Sequence, residues 1–286
     1  MMLRFIQDQL RPPDPPSTVH HARVLGSLDK DHMIFLHDAG PGFLPLNVAL
    51  HSKSITLTEQ TARDLGRWLS ALHTINLDGR GAGAGELVRR LPFHEDYRAH
   101  GYGRASRFVL DHRSVGPEDQ SGALLASIEW CRKSSARIES NRIIHGDFGL
   151  SNILVCPDDR SGSYSSSASA FVVDFENSRP GDPTTDLARM ISELYLVDET
   201  IGSKSSSSTH RAFVQGYLSH RRTGWTEEES DRIMVEMGVW YLGSIGPQVI
   251  KNPDIYRRVE RLGLEWILPG PRRDSYVARM LTGTMT

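Results

Sequence analysis

The sequence predicts an α+β fold, with a small β-rich N-terminal portion ahead of a mostly helical C-terminal portion. Three observations predict it. Two short apolar runs, Ala22-Arg23-Val24-Leu25-Gly26 and Met33-Ile34-Phe35-Leu36, stand near the start. Three more, Ile143-Ile144, Ile153-Leu154-Val155 and Phe171-Val172-Val173, cluster in the middle with acidic residues in the loops between them. From about Leu187 onward, apolar residues recur at helical spacing.

The elements follow in order. Residues 3–10 suit a short helix, stopped by Arg11-Pro12-Pro13-Asp14-Pro15-Pro16, because proline lacks an amide donor and disfavours helix in the residue before it. The first two apolar runs read as strands, the second closed by Gly40-Pro41-Gly42. Thr56-Leu57-Thr58-Glu59 reads as a capping box opening a helix whose Ala62, Leu65, Leu69 and Leu72 share one face. Gly79 to Gly85 is a glycine-rich connector. It has no strand before it and no Lys-Ser/Thr after it, so it lacks the surroundings of a phosphate cradle. A helix from about Leu124 to Ile138 leads into the central strands. Ser161 to Ser167 and Ser203 to Ser208 are polar, low-complexity stretches. Four helical patterns follow, at Asp186–Leu196, Arg211–His220, Glu227–Leu242 and Ile255–Ile267.

Composition narrows the functional classes. A net charge of −2 and a pI near 6.6 lack the basic excess of a general nucleic-acid binder, so no nucleic-acid partner is expected. No apolar run reaches the ~20 residues of a membrane span, and Gln7 and Asp8 interrupt the opening apolar residues, so no membrane partner and a cytoplasmic location are expected. Cys131 and Cys156 are too few for a disulfide framework and lack metal-ligand spacing. His20, His21, His73 and His94 lack it too, and Trp240, Tyr241 and Trp266 fit helical core positions.

The chemistry concentrates in Ile143-Ile144-His145-Gly146-Asp147-Phe148-Gly149-Leu150-Ser151-Asn152-Ile153-Leu154-Val155, then Asp174-Phe175-Glu176, then Gly181-Asp182-Pro183-Thr184-Thr185-Asp186-Leu187-Ala188. Phosphoryl transfer needs a carboxylate at the acceptor hydroxyl and oxygen ligands that hold Mg2+ on the phosphates. Asp147 can meet the first need. Asn152, five residues on in the same loop, and Asp174, at the end of an apolar strand, can meet the second.

His-Gly-Asp, four residues, Asn, then an apolar strand ending in Asp, then Gly-Asp-Pro, two residues, Asp-Leu, resembles the aminoglycoside phosphotransferase and choline kinase-like superfamily. With Asp174-Phe175-Glu176 and Ser192-Glu193-Leu194-Tyr195-Leu196, it is most similar to the fungal phosphotransferase-domain proteins of that group. The resemblance runs from about Leu3 to Trp266 and is most specific between Ile143 and Leu196. It implies a protein-kinase-like fold and ATP with Mg2+ as cofactors, with a small-molecule acceptor and a nucleotide as partners. It implies Asp147 as catalytic base and Asn152 and Asp174 as metal ligands at the nucleotide. His145 and Asp186 become structural supports of the loop. Asp182, Glu193, Asp198 and Glu199 then add acidity on the acceptor side, favouring a cationic or polyol substrate.

The same resemblance assigns residues 1–45 to a remnant N-terminal lobe and hinge, with His37-Asp38 in the hinge, and residues 46–286 to the helical catalytic lobe. No counterpart of the family's glycine-rich hairpin, strand lysine or partner glutamate is found before Leu3. The expectation is therefore phosphoryl transfer weakened or lost through an incomplete nucleotide-binding lobe. The alternative is a pseudokinase, or a repurposed small-molecule enzyme or binding protein that uses the same cleft without ATP.

Overall fold

The computed structural model describes residues 6, 19–21, 24–28, 33–36, 39–75, 95–111, 120–137, 142–156, 170–201, 206–219, 221, 224–245 and 250–268. The proline run at 11–16, the His37-Asp38 hinge, His94, the glycine-rich stretch at 79–85 and the serine-rich stretch at 161–167 lie outside them. So do residues 3–10 apart from Ile6, which is helical and buried. The fold is α+β, mostly helical with small sheets, and divides into two compact units.

Unit 1 draws on Met1–Leu91, Asn141–Pro180 and Ser203–Arg222. It holds β1 (Val19–His21), β2 (Val24–Leu28), β3 (Met33–Leu36), β4 (Leu44–Pro45), α1 (Leu46–His51) and α2 (Glu59–His73). Unit 2 contributes the next two helices, α3 (Glu95–Asp111) and α4 (Ser121–Arg137). Unit 1 then resumes with β5 (Ile143–Ile144), β6 (Ile153–Val155), β7 (Ala170–Val172) and β8 (Arg179–Pro180). Further on come α5 (Thr184–Ile201) in unit 2, α6 (Ser206–Leu218) in unit 1, and α7 (Glu227–Ser244) and α8 (Pro253–Ile267) in unit 2.

A four-stranded sheet runs in the order β1-β7-β6-β4. The apolar runs at 153–155 and 170–172 pair antiparallel with Ile153 opposite Val172 and Val155 opposite Ala170. All four of these side chains are buried, as strict alternation on one covered face requires. β1 adds in parallel, Val19 opposite Ala170 and His21 opposite Val172. Two separate pairs, β2 with β3 and β5 with β8, are antiparallel.

Helix α2 begins two residues later than the sequence suggests. The capping residue is Thr58, whose hydroxyl accepts the Thr61 amide, and not a box opened by Thr56. Its stripe of Ala62, Leu65, Leu69 and Leu72 is buried as expected. Against α6 the two backbones touch. A Cβ placed on Gly66 would lie 2.0 Å from the Phe213 carbonyl oxygen, and one on Gly216 would lie 2.0 Å from that of Arg63. The serine stretch at 203–208 is not wholly irregular, since α6 already begins at Ser206.

Unit 2 packs α3, α4, α7 and α8 around Tyr102, Ala105, Val109, Ile128, Cys131, Val235, Val239 and Ile267. Helix α7 carries a complete capping box, Thr226 with Glu229. Tyr241 and Trp266 pack against each other in the interior, and the Tyr241 hydroxyl donates to the Ser192 carbonyl. Among the described residues no helix is long and apolar enough to cross a membrane.

Candidate active site

The site grows from two turns held side by side in unit 1. The first follows β5 and carries His145, Gly146 and Asp147. The second follows β7 and carries Asp174. Between the first turn and β6, a single 3-10 turn at Leu150–Asn152 returns the chain so that Asn152 faces back toward Asp147.

The Asn152 side-chain amide donates to the Asp147 carbonyl at 2.9 Å and to the Asp147 carboxylate Oδ2 at 2.9 Å. Since that nitrogen must be the donor, the amide orientation is fixed, and Oδ1 points the other way. The Ser151 hydroxyl approaches Oδ1 at 3.4 Å. The backbone of Asn152 reaches the second turn, its carbonyl accepting the Val173 amide at 3.0 Å. The Val173 carbonyl in turn accepts from His145 Nε2 at 3.0 Å. A carbonyl only accepts, so the histidine carries its proton on Nε2. Val173 is thus tied through both of its peptide groups to the loop of Asp147. The residue after it is Asp174.

Asp174 stands in the left-handed region, φ 65° and ψ 60°, a conformation that costs most side chains about 1 kcal/mol and that Asp tolerates better than most. Its side chain is exposed and makes no cap bond to the 3-10 turn Phe175–Asn177 that it opens.

Behind both turns lies an aromatic cluster. His145 is fully buried, its ring 4.7 Å from that of Phe175 and 5.7 Å from that of Phe148. Trp68 of α2 stacks on Phe148 at 5.8 Å with 9° between the planes, and meets Phe175 edge-on at 6.1 Å. The phenylalanines that follow the two aspartates therefore rest on one indole. A histidine so enclosed, with one nitrogen spent on a carbonyl, packs and orients the loop.

Of the sequence-derived residues, His145, Asp147 and Asn152 share the first turn, and Asp174 is bound to it through Val173. Asp186 is buried in the first turn of α5, in unit 2. The expected acidity on the acceptor side is corrected for Asp182 and Glu193. Asp182 is buried and spent on structure, accepting the Thr184 amide and the Ser135 hydroxyl and pairing with Arg232 at 3.3 Å. Glu193 pairs with Arg189 at 3.0 Å. The side chains of Asp198 and Glu199 lie outside the described residues.

Sequence reasoning missed Trp68, Ser178 and Arg179. The Ser178 hydroxyl donates to the His145 carbonyl at 3.2 Å, and Arg179 Nη1 donates to the Asn177 carbonyl at 2.8 Å. The only signal for Ser178 and Arg179 was their position just after the Asp174 strand, and Trp68 gave none. Gly146 was read as part of the motif without a reason. It has φ +82°, and a Cβ there would meet the Asn177 carbonyl oxygen at 2.2 Å.

Whether this donor set suits a metal follows from its chemistry. Among the described residues no three His, Cys, Asp or Glu side chains converge as a metal-binding group. What is offered is one exposed carboxylate, Asp174, and one amide oxygen turned away from Asp147. Hard oxygens in small number fit Mg2+, which keeps several waters and takes the rest of its octahedron from phosphate oxygens.

A sequence profile of the phosphotransferase enzyme family matches residues 43–229. A comparison with curated proteins gives no match. Among solved structures, the chain is similar to a choline/ethanolamine kinase family protein from Mesorhizobium loti, at 16% identity over 88% of this chain and 80% of that one, with a TM-score of 0.46. It is similar to an ethanolamine kinase from Plasmodium vivax, at 16% identity over 87% and 67%, TM-score 0.40. The GDP complex of an aminoglycoside 2'-phosphotransferase matches at 12% identity over 93% and 78%, TM-score 0.49.

Proposed function

The chain belongs to the phosphotransferase enzyme family, and from that premise we propose that it transfers the γ-phosphoryl group of Mg2+-bound ATP to a hydroxyl of a small molecule. The observation that supports this reading is the hydrogen-bond circuit from His145 to Val173 to Asn152 to Asp147, which keeps a carboxylate and two further oxygen donors in two adjoining turns.

In this reading Asp147 orients the acceptor hydroxyl and takes its proton as the oxygen attacks phosphorus. Asn152 Oδ1 and the Asp174 carboxylate hold the metal. Once bound, Mg2+ covers the charge on the phosphate oxygens. His145 fixes the loop. Residues 1–45 form the nucleotide side and residues 46–286 the catalytic lobe. Asp182 and Glu193 are committed to arginines, and the acceptor in this reading is a small hydroxylated molecule.

Calorimetry with Mg2+ and a non-hydrolysable ATP analogue tests the roles. Binding is expected in the wild type and in Asp147→Asn and is expected to vanish in Asp174→Ala, while turnover is lost in both variants. A folded wild type that binds no nucleotide, or two variants that bind alike, would overturn the reading.

A further inference from the structure

Resting on that reading, we propose that Arg179 is a positioning residue for Asp147. Strand β8 pairs with β5 so that Arg179 stands opposite Ile144, two residues before Gly146. From there the guanidinium reaches forward along the loop. Its Nη1 donates to the Asn177 carbonyl at 2.8 Å. A Cβ built on Gly146 would lie 2.5 Å from the same nitrogen and 2.2 Å from the same carbonyl oxygen. The cation and the carbonyl it holds therefore fill the place where a side chain of residue 146 would stand.

The consequence is a clamp on one short piece of backbone. On one side the Asn152 amide grips the Asp147 carbonyl. On the other, the Arg179–Asn177 pair presses on Gly146, whose φ of +82° leaves it no side chain to hold itself in place. The Asp174 turn has separate ties, from His145 and Asn152 to Val173 and from the Ser178 amide to the Phe175 carbonyl. Removing the guanidinium thus takes away the group packed on Gly146, beside Asp147, and the donor to Asn177, while Val173, which leads into Asp174, keeps its bonds with His145 and Asn152. Arginine matters here, because the same nitrogen must reach the carbonyl and pack on the glycine; a lysine offers a point donor on a flexible stem.

The test uses the full chain with Mg2+ and ATP, water serving as the phosphoryl acceptor, so that ADP and phosphate are released and measured. Arg179→Gln is expected to lower kcat by about tenfold or more with KM for Mg-ATP within about twofold, since small misplacements of a reacting group are costly and nucleotide contacts are untouched. Arg179→Lys is expected to fall between Arg179→Gln and wild type in kcat, again at constant KM. Unchanged kcat in Arg179→Gln, or kcat and KM shifting together, overturns the proposal. If Arg179→Gln does not fold, Arg179→Lys decides alone: reduced kcat at constant KM supports the proposal, and wild-type kcat overturns it. Should the wild type turn over no ATP with water as acceptor, nucleotide binding by calorimetry decides the phosphotransferase reading separately, and hydrogen exchange decides for Arg179. Amides at 145–149 should then exchange faster in Arg179→Gln or Arg179→Lys while those at 173–175 keep their rate. No change at 145–149 overturns the proposal.

Discussion

A methyl group is all that Gly146→Ala adds, and the loop of Asp147 has no room for it. The new carbon would meet a carbonyl oxygen at 2.2 Å and a guanidinium nitrogen at 2.5 Å, and the backbone angle of +82° disfavours any L side chain besides. Relief requires the peptide that presents Asp147 to move. We expect Gly146→Ala to cost about 2–4 kcal/mol of stability by chemical denaturation, and to cost turnover by about 100-fold even where the protein stays folded. Turnover within tenfold of wild type would count against the tight packing of this turn. At this scale the sequence spoke clearly for Asp147, Asn152 and Asp174. Their relation is local, with Asn152 one short loop from Asp147 and Asp174 at the end of an apolar run. Arg179, Ser178 and Trp68 were silent because their contacts come from strand register and helix packing across distant stretches of chain.

Where α2 crosses α6, two glycines let one helix backbone rest on the other. Overpacking a contact this close forces the axes apart. Gly216→Ala is expected to destabilise by about 3 kcal/mol or more, lowering the melting temperature by roughly 6–12 °C. Gly103→Ala in α3 is the matched control: its Cβ would meet nothing within 4 Å, so helix propensity alone should raise stability by about 0.5–1 kcal/mol. Equal effects at the two positions would refute the packing argument. The same glycines explain which elements the sequence disclosed. Helices with an unbroken apolar stripe or a side-chain cap, such as α2 and α8, were readable to within a few residues. Helix α3 was not, since Gly101 and Gly103 dilute its helical character. The strands β1, β4 and β8, of two or three residues each, exist only because a partner elsewhere in the chain completes their hydrogen bonds.

The whole molecule hides its division. Unit 1 is gathered from three stretches of chain and unit 2 from the remainder, so the division does not follow the order of the sequence. That discontinuity bears on how the protein is made. A ribosome delivers residues in order, and Val19 can pair with Ala170 only after the intervening chain has been synthesised. Helix α2 waits longer still, because Phe213 and Gly216, which cover its glycine, arrive near the end of unit 1. At about 5–20 residues per second, the face of α2 that carries Gly66 and His73 waits roughly 7–30 s for α6. Nascent chains arrested with Pro180 outside the ribosome should be cut by protease within 59–73, and chains arrested after Arg222 has emerged should resist. Protection of α2 in the shorter chains would show that it finds cover without α6. During that interval the newborn protein presents a greasy helix face without its partner, the kind of surface that chaperones hold.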